Sequence, residues 1–218
     1  MSRAVSTTSP RSPSKRLRPA RQARSRLSQE RVLDALAAML AEQPFEKIRV
    51  TEIARRAGVA VTSIYARFED KRALVLALHE RHVSETLGLT DTLLDAGRWE
   101  GADLETVVRG VIAGIVAHQR PRAQLLRTVL VVNDRDVERR VAHLMRHGSE
   151  RLATLLRSHL AHVPAATRDR LVDFAFRAVV AVLQQRLIFP TTEPGRYRLS
   201  DAELTRRLGD LFLGAVRR

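Results

Sequence analysis

The sequence predicts an all-α protein, a small N-terminal three-helix unit followed by a larger helical bundle. Three observations lead there. From Ser28 onward apolar residues recur every three or four positions, the spacing that lines one face of an α-helix. No stretch alternates apolar and polar residues as a half-buried strand would. Pro44, Gly58 and the Gly97–Gly101 region punctuate the periodic segments.

Each element has its own signal. Val32, Leu33, Leu36, Met39 and Leu40 share one face of a first helix over 28–42, with Ser28 as N-cap. A short second helix over 50–57 turns Ile53, Ala54 and Ala57 inward, and Gly58 stops it. A third helix covers 61–67, and a fourth, starting near Asp70, reaches residue 95. Longer helices follow over 102–119, 121–132, 135–161, 166–188 and 200–216. Pro121 suits a first turn, where no backbone donor is needed. Ser200 and Glu203 have the spacing of a capping box. The expected organisation is a basic arm over 1–27, a first domain over 28–82 and a second over 83–218.

Composition narrows the chemistry. The 218 residues are 44% hydrophobic and 28% charged, as in a soluble globular protein. Without cysteine there is no disulfide framework, thiolate metal site or cysteine nucleophile. No apolar run approaches the ~18 residues of a membrane span, and residues 1–27 lack the apolar stretch of a signal peptide. The expectation is a cytoplasmic protein. Of the formal charge of +14, eight units sit in residues 1–27, which hold Arg3, Arg11, Lys15, Arg16, Arg18, Arg21, Arg24 and Arg26 and no acid. With three prolines and few apolar groups, this arm reads as disordered and suited to reach phosphates.

The sharpest motif is Val50–Phe68, VTEIARRAGVAVTSIYARF. Ala54 is small enough for two helices to cross closely, Gly58 permits the positive φ that reverses the chain, and Val59 plugs the corner. Two short helices about a glycine turn make a helix-turn-helix, whose second helix enters the DNA major groove. Val61, Thr62, Ser63, Tyr65 and Ala66 give that helix short groups for base edges and phosphates, and Arg49, Arg55, Arg56, Arg67, Lys71 and Arg72 make its surroundings basic.

Residues 28–82 resemble the DNA-binding domain of TetR-family transcriptional repressors. Ile53-Ala54, Ala57-Gly58-Val59, Ile64-Tyr65, Phe68 and Asp70-Lys71-Arg72-Ala73-Leu74 carry the resemblance. It implies a homodimer with helix-turn-helix heads on helical bundles, each bundle holding a small effector. It also implies that Tyr65 and Lys71 contact phosphates, that Val61, Thr62, Ser63 and Arg67 face the groove, and that Thr51 assists. Arg49 replaces a common Ser or Thr helix cap and is suited to hold a phosphate; Ala60 replaces a common Ser. The expected activity is a repressor on a near-palindromic operator in double-stranded DNA.

Further on, Leu171–Leu183 is apolar nearly all round, which calls for cover on both sides. With the last helix, and with the resemblance, it points to a dimer interface of Phe176, Val179, Leu183, Leu204, Leu208, Leu211 and Phe212. Candidate ligand contacts are polar, sulfur-bearing or aromatic groups within apolar helices: Trp99, His118, Arg122, Arg127, Met145, Phe174, Phe176 and Gln184. Gly110 and Gly114 read as a close crossing. No phosphate-binding glycine loop or nucleophile elbow occurs, so no catalytic residue and no cofactor is expected. His143 and His147 have helical metal-pair spacing but no HExxH context, and no metal is expected. The alternative is a basic helical protein that coats nucleic acid without sequence preference.

Overall fold

The computed structural model describes residues 17–130, 134–189 and 195–217. Among the described residues the protein is all helical, with no strand. The helices are α1 (Leu17–Glu42), α2 (Val50–Ala57), α3 (Val61–Tyr65), α4 (Lys71–Leu93), α5 (Leu104–Gln119), α6 (Ala123–Leu130), α7 (Arg135–Leu155), α8 (Ala165–Ile188) and α9 (Asp201–Val216).

Local chemistry explains their ends. Side chains of Asp70, Asp103 and Asp134 accept hydrogen bonds from the first free amides of α4, α5 and α7. Ser200 Oγ accepts from Glu203 N at 3.2 Å, while the Glu203 carboxylate meets Arg206 and Arg207. Gly58 ends α2 at φ 64°, ψ 41°, and Val59 N returns to Ala54 O at 3.0 Å.

Two hydrophobic cores result. The first gathers Leu36 and Leu40 of α1, Ile53 of α2, Ile64 of α3 and Leu74 and Leu78 of α4, with Leu125, Val129 and Val137 from further along the chain. The second joins Val107 and Val111 of α5, Leu152 of α7, Val172, Val179 and Leu183 of α8, and Leu204, Leu208 and Phe212 of α9. α4 enters both, since Leu93 at its end belongs to the second.

Four expectations change. The first helix begins at Leu17, so Ser28 is interior. Residues 17–27 contain no glycine, and their one proline, Pro19, lies in the first turn, where its missing donor costs nothing. The rest of the predicted arm, 1–16, lies outside the described residues. Pro121 sits in a 3-10 turn, Arg120–Arg122, that joins α5 to α6. α3 stops at Tyr65 and α7 at Leu155, with Leu156 and Leu160 buried in the turns that follow.

The fourth concerns the predicted dimer contacts. Val179, Leu183, Leu204, Leu208 and Phe212 are at most 5% exposed inside a single subunit. α9 packs back on α5 and α8, and α7 also packs on α8, so the chain itself covers the sides of α8 that carry Val179 and Leu183. Phe176 is half-buried against Gly148. Only Leu211 of that set is exposed, beside the outward-facing Phe174, Ala181 and Ile188 of α8.

Val179→Arg therefore places an unpartnered guanidinium in the core, at a cost of several kcal/mol. We expect it to abolish the cooperative thermal transition seen by circular dichroism, while Leu211→Arg leaves subunit secondary structure intact. A folded Val179→Arg subunit would contradict this packing.

Candidate nucleic-acid interface and internal cavity

The helix-turn-helix is built from the inside out. Ile53, Ala54, Ala57 and Ile64 are buried at the α2–α3 junction, which fixes the outward face. Thr62, Ser63, Tyr65 and Arg67 are exposed on or just after α3, with Arg49 and Thr51 exposed at the start of α2. Arg49 occupies the N-cap position, but its side chain has no acceptor to offer. Glu52 takes over: its Oε2 accepts from Arg49 N at 3.2 Å, leaving the guanidinium to face solvent.

Three of the predicted DNA contacts are also held within the protein. Val61 is half-buried against the first core. Arg67 Nη2 donates to Ser25 Oγ at 2.7 Å, which ties the N-terminal extension of α1 beside α3. The Lys71 ammonium donates to Phe45 O, sits 4.1 Å from the Phe45 ring centre, and is pushed below the usual lysine pKa by burial. Arg56, close by, is engaged in a two-pronged pair with Glu42 at 2.7 Å.

A cavity of about 180 Å³ lies between α4, α5, α6, α7 and α8. Hydrocarbon from Val83, Leu89, Val111, Ile115, Leu144 and Val180 makes most of its wall. Of the eight predicted ligand contacts, His118, Met145, Phe176 and Gln184 line it. Of the other four, three have structural work elsewhere and Phe174 faces outward. Trp99 Nε1 donates to Leu93 O at 2.7 Å, closing the end of α4, and its ring occupies the space left by Gly110. Leu93 fills the corresponding space at Gly114. Arg122 binds His118 O and pairs with Glu85 at 3.4 Å. Arg127 Nε donates to Leu187 O at 2.8 Å, near the end of α8. Phe174 points outward, 68% exposed. Phe176 also separates the cavity from a second, water-sized void lined by Val108, Leu152, Val179 and Phe212.

Sequence reasoning missed the strongest polar feature of this cavity, His79 and His82. Their spacing of three within the apolar run Leu74, Val75, Leu78, Val83 was the available signal, since it puts both on the buried face of α4. The His82 and His118 rings stack at 5.4 Å between centres, and His79 lies 6.5 Å from His82. The Thr86 hydroxyl donates to His82 O at 2.7 Å, which leaves its oxygen to accept from His118 Nε2 at 2.9 Å. The Nδ1 atoms of His79 and His82 are sealed from water without a hydrogen-bond partner. Burial, then the charge of Arg140, pushes the His79 pKa down to about 4. Burial, then His118, Arg122 and His79, pushes His82 down to about 3. Burial and Arg122 also lower His118, against the pull of Glu85. Elsewhere His147 bonds Asp91 at 2.9 Å, and no group of three metal-ligating side chains converges among the described residues.

Comparison with known proteins gives this geometry a family context. Residues 32–78 match the bacterial regulatory proteins of the tetR family. Over 83 residues the chain is 30% identical to an uncharacterized HTH-type transcriptional regulator of Mycobacterium tuberculosis, strain CDC 1551 / Oshkosh. That match covers 38% of this chain and 40% of the relative, and one in Mycobacterium bovis matches equally. The chain thus spans well under half the length of these relatives. A transcriptional regulator from Cytophaga hutchinsonii superposes with a TM-score of 0.67 at 16% identity, covering 86% of this chain and 96% of its own. A tetR-family regulator from Streptomyces coelicolor gives 0.61 at 17% identity, over 86% and 79%. At such identities the likeness establishes the fold.

The buried imidazoles have a thermodynamic consequence. Their folded pKa values lie below the unfolded value of ~6.5, so the unfolded chain binds more protons between pH 6.5 and 3. Their contribution is complete above about pH 6.5 and is lost as the pH falls through that interval. We expect urea midpoints to drop on acidification, and His82→Leu to make the drop shallower by close to one proton. Superimposable pH profiles for the two proteins would overturn this.

Proposed function

We propose that this chain, whose N-terminal domain belongs to the tetR family of bacterial regulatory proteins, is a DNA-binding transcriptional repressor that leaves its operator when a small effector enters the α4–α8 cavity. The observation that carries the reading is the exposed face of α3: Thr62, Ser63 and Tyr65 stand outward from a buried Ile64, flanked by Arg49 and Arg67. Short hydroxyl groups at close range, framed by cations that hold phosphates, are what groove reading requires. Residues 28–82 would read DNA and residues 83–218 would bind effector and partner. Two copies would meet through the outward sides of α8 and α9, where Phe174, Ile188 and Leu211 are exposed. Their recognition helices would then enter successive major grooves of a near-palindromic site, about 34–36 Å apart. The proposed setting is the cytoplasm; no described helix is long and apolar enough to cross a membrane.

An effector shifts such a system only by its differential affinity for the DNA-fitting and non-fitting states, typically ~1–3 kcal/mol of coupling. The test is selection of an operator from random duplexes, then mobility shifts against scrambled DNA at fixed salt. Equal affinity for both would instead support a protein that coats nucleic acid.

Tyr65→Ala should weaken binding about equally on all sequences. Thr62→Ala or Arg67→Ala should relax discrimination at particular base pairs by ~1–3 kcal/mol. Unchanged operator affinity in all three folded variants would remove the assignment. Deleting residues 1–16 removes Arg3, Arg11, Lys15 and Arg16. If they touch phosphates, the slope of log affinity against log salt becomes shallower by ~0.9 per lost contact; an identical slope would make this segment a spectator.

A further inference from the structure

Among the described residues, the α4–α8 cavity is lined by no acidic or basic side chain other than three histidines. The Thr86 and Thr90 hydroxyls are already spent on the carbonyls of His82 and Thr86. His79 and His82 are only 2% and 6% exposed, and the Nδ1 atom of each ring is without a hydrogen-bond partner among the described residues. Buried polar groups left in this state are costly unless something completes them.

The charged groups around this row set the sign of what fits. Arg140 faces His79 from α7, with Glu80 3.8 Å from it on the outer side. Arg122 faces His82 and His118 from the turn after α5, with Glu85 at 3.4 Å. Glu85 is shared with Arg81, which also holds Glu30 and Asp34 of α1. The nearby carboxylates are thus taken up by arginines, and the field that His79 and His82 feel from outside the row comes from Arg140 and Arg122. An ammonium ligand would meet that field with no carboxylate to receive it. An alcohol would satisfy a ring nitrogen but gain nothing from the charge. A carboxyl group answers both demands. The volume of about 180 Å³ slightly exceeds the ~150 Å³ apolar cavity that accepts benzene, which suits a body of about six to ten carbons.

Building on the effector reading above, we propose that the cavity takes a compact amphipathic carboxylic acid, its hydrocarbon filling the apolar chamber and its carboxyl group seated on His79 and His82. The acid enters with one proton. At neutral pH the carboxylate comes from water together with H⁺, and the proton is shared between a carboxyl oxygen and an imidazole nitrogen. No uncompensated charge is then buried.

Isothermal titration of the full chain with octanoate, octan-1-ol and octylamine tests this, at pH 6 to 8 and in two buffers of different ionisation enthalpy. Octanoate should bind with close to one proton taken up, its affinity falling about tenfold per pH unit, and octylamine should bind at least ten times more weakly. His79→Gln and His82→Gln should each weaken octanoate about tenfold or more and leave octan-1-ol within a factor of three. Met145→Trp, which fills the chamber, should weaken all probes that bind. Proton-free binding of octanoate, equal binding of octylamine, or indifference to both glutamine variants would overturn the proposal, as would failure of octanoate to bind. Operator release is read separately. Proton-coupled octanoate binding that leaves the operator complex intact would overturn the effector reading and keep the ligand class. Release by octan-1-ol or octylamine with octanoate inert would do the reverse.

Discussion

A 23-residue α-helix that gives its first turns to one hydrophobic core and its last turn to another cannot move in one without being felt in the other. α4 is that helix here, about 35 Å long at 1.5 Å per residue. Its N-cap Asp70 lies two residues after the buried Phe68, so the position of α3 is set from the start of α4. Its middle and second half, from His79 through Leu93, form one wall of the cavity. α1 holds the same rod from outside, through Arg81 to Glu30 and Asp34 at 2.9 and 2.8 Å. Anything that widens the cavity by displacing α4 acts on the base of α3 through a continuous run of backbone hydrogen bonds.

The histidine row is the exception to an otherwise economical interior. Both cores are aliphatic, with Phe68 and Phe212 the aromatic residues buried in them. Leucine at 79 and 82 would complete the pattern without the desolvation that keeps these imidazoles neutral. Structural capping does not account for them, since His82 contributes its carbonyl to Thr86 while its Nδ1 has no partner among the described residues. This cost in the interior is the ground of the ligand proposed above.

Much of the architecture was legible in the residues because its signals are local. Gly58 at a positive φ, Asp70 and Asp103 at N-caps, and the inward spacing of Ile53, Ala54 and Ile64 each report on a few neighbouring positions. What failed was non-local. An all-round apolar α8 shows that both sides are covered, but periodicity does not say by whom; α9 and α7 of the same chain supply that cover, which moved Val179 and Phe212 from a supposed interface into the core. Trp99 looked like a ligand contact because it is large and solitary, whereas its partner Gly110 is distant enough in sequence that only the fold brings them together. The start of α1 was misplaced because charge density suggested disorder where helix-forming alanine, arginine and leucine prevailed. His79 and His82 were visible as a spacing, but a histidine pair on an apolar face announces burial, and only the enclosing helices make it a wall.

Phe176, with Val111 and Ile115, stands between the larger chamber and a small void. Its ring rests where Gly148 has no side chain; a Cβ there would come within 2.9 Å of the ring tip. That limit of the chamber is therefore set by side chains, Phe176 with Val111 and Ile115, and the Phe176 ring lies on a bare patch of helix. Positions 148 and 176 both shape this end of the chamber, and neither belongs to α3. A lineage could reshape the chamber by mutation at those positions while the exposed face of α3 stays the same, so the two parts are free to evolve on separate schedules.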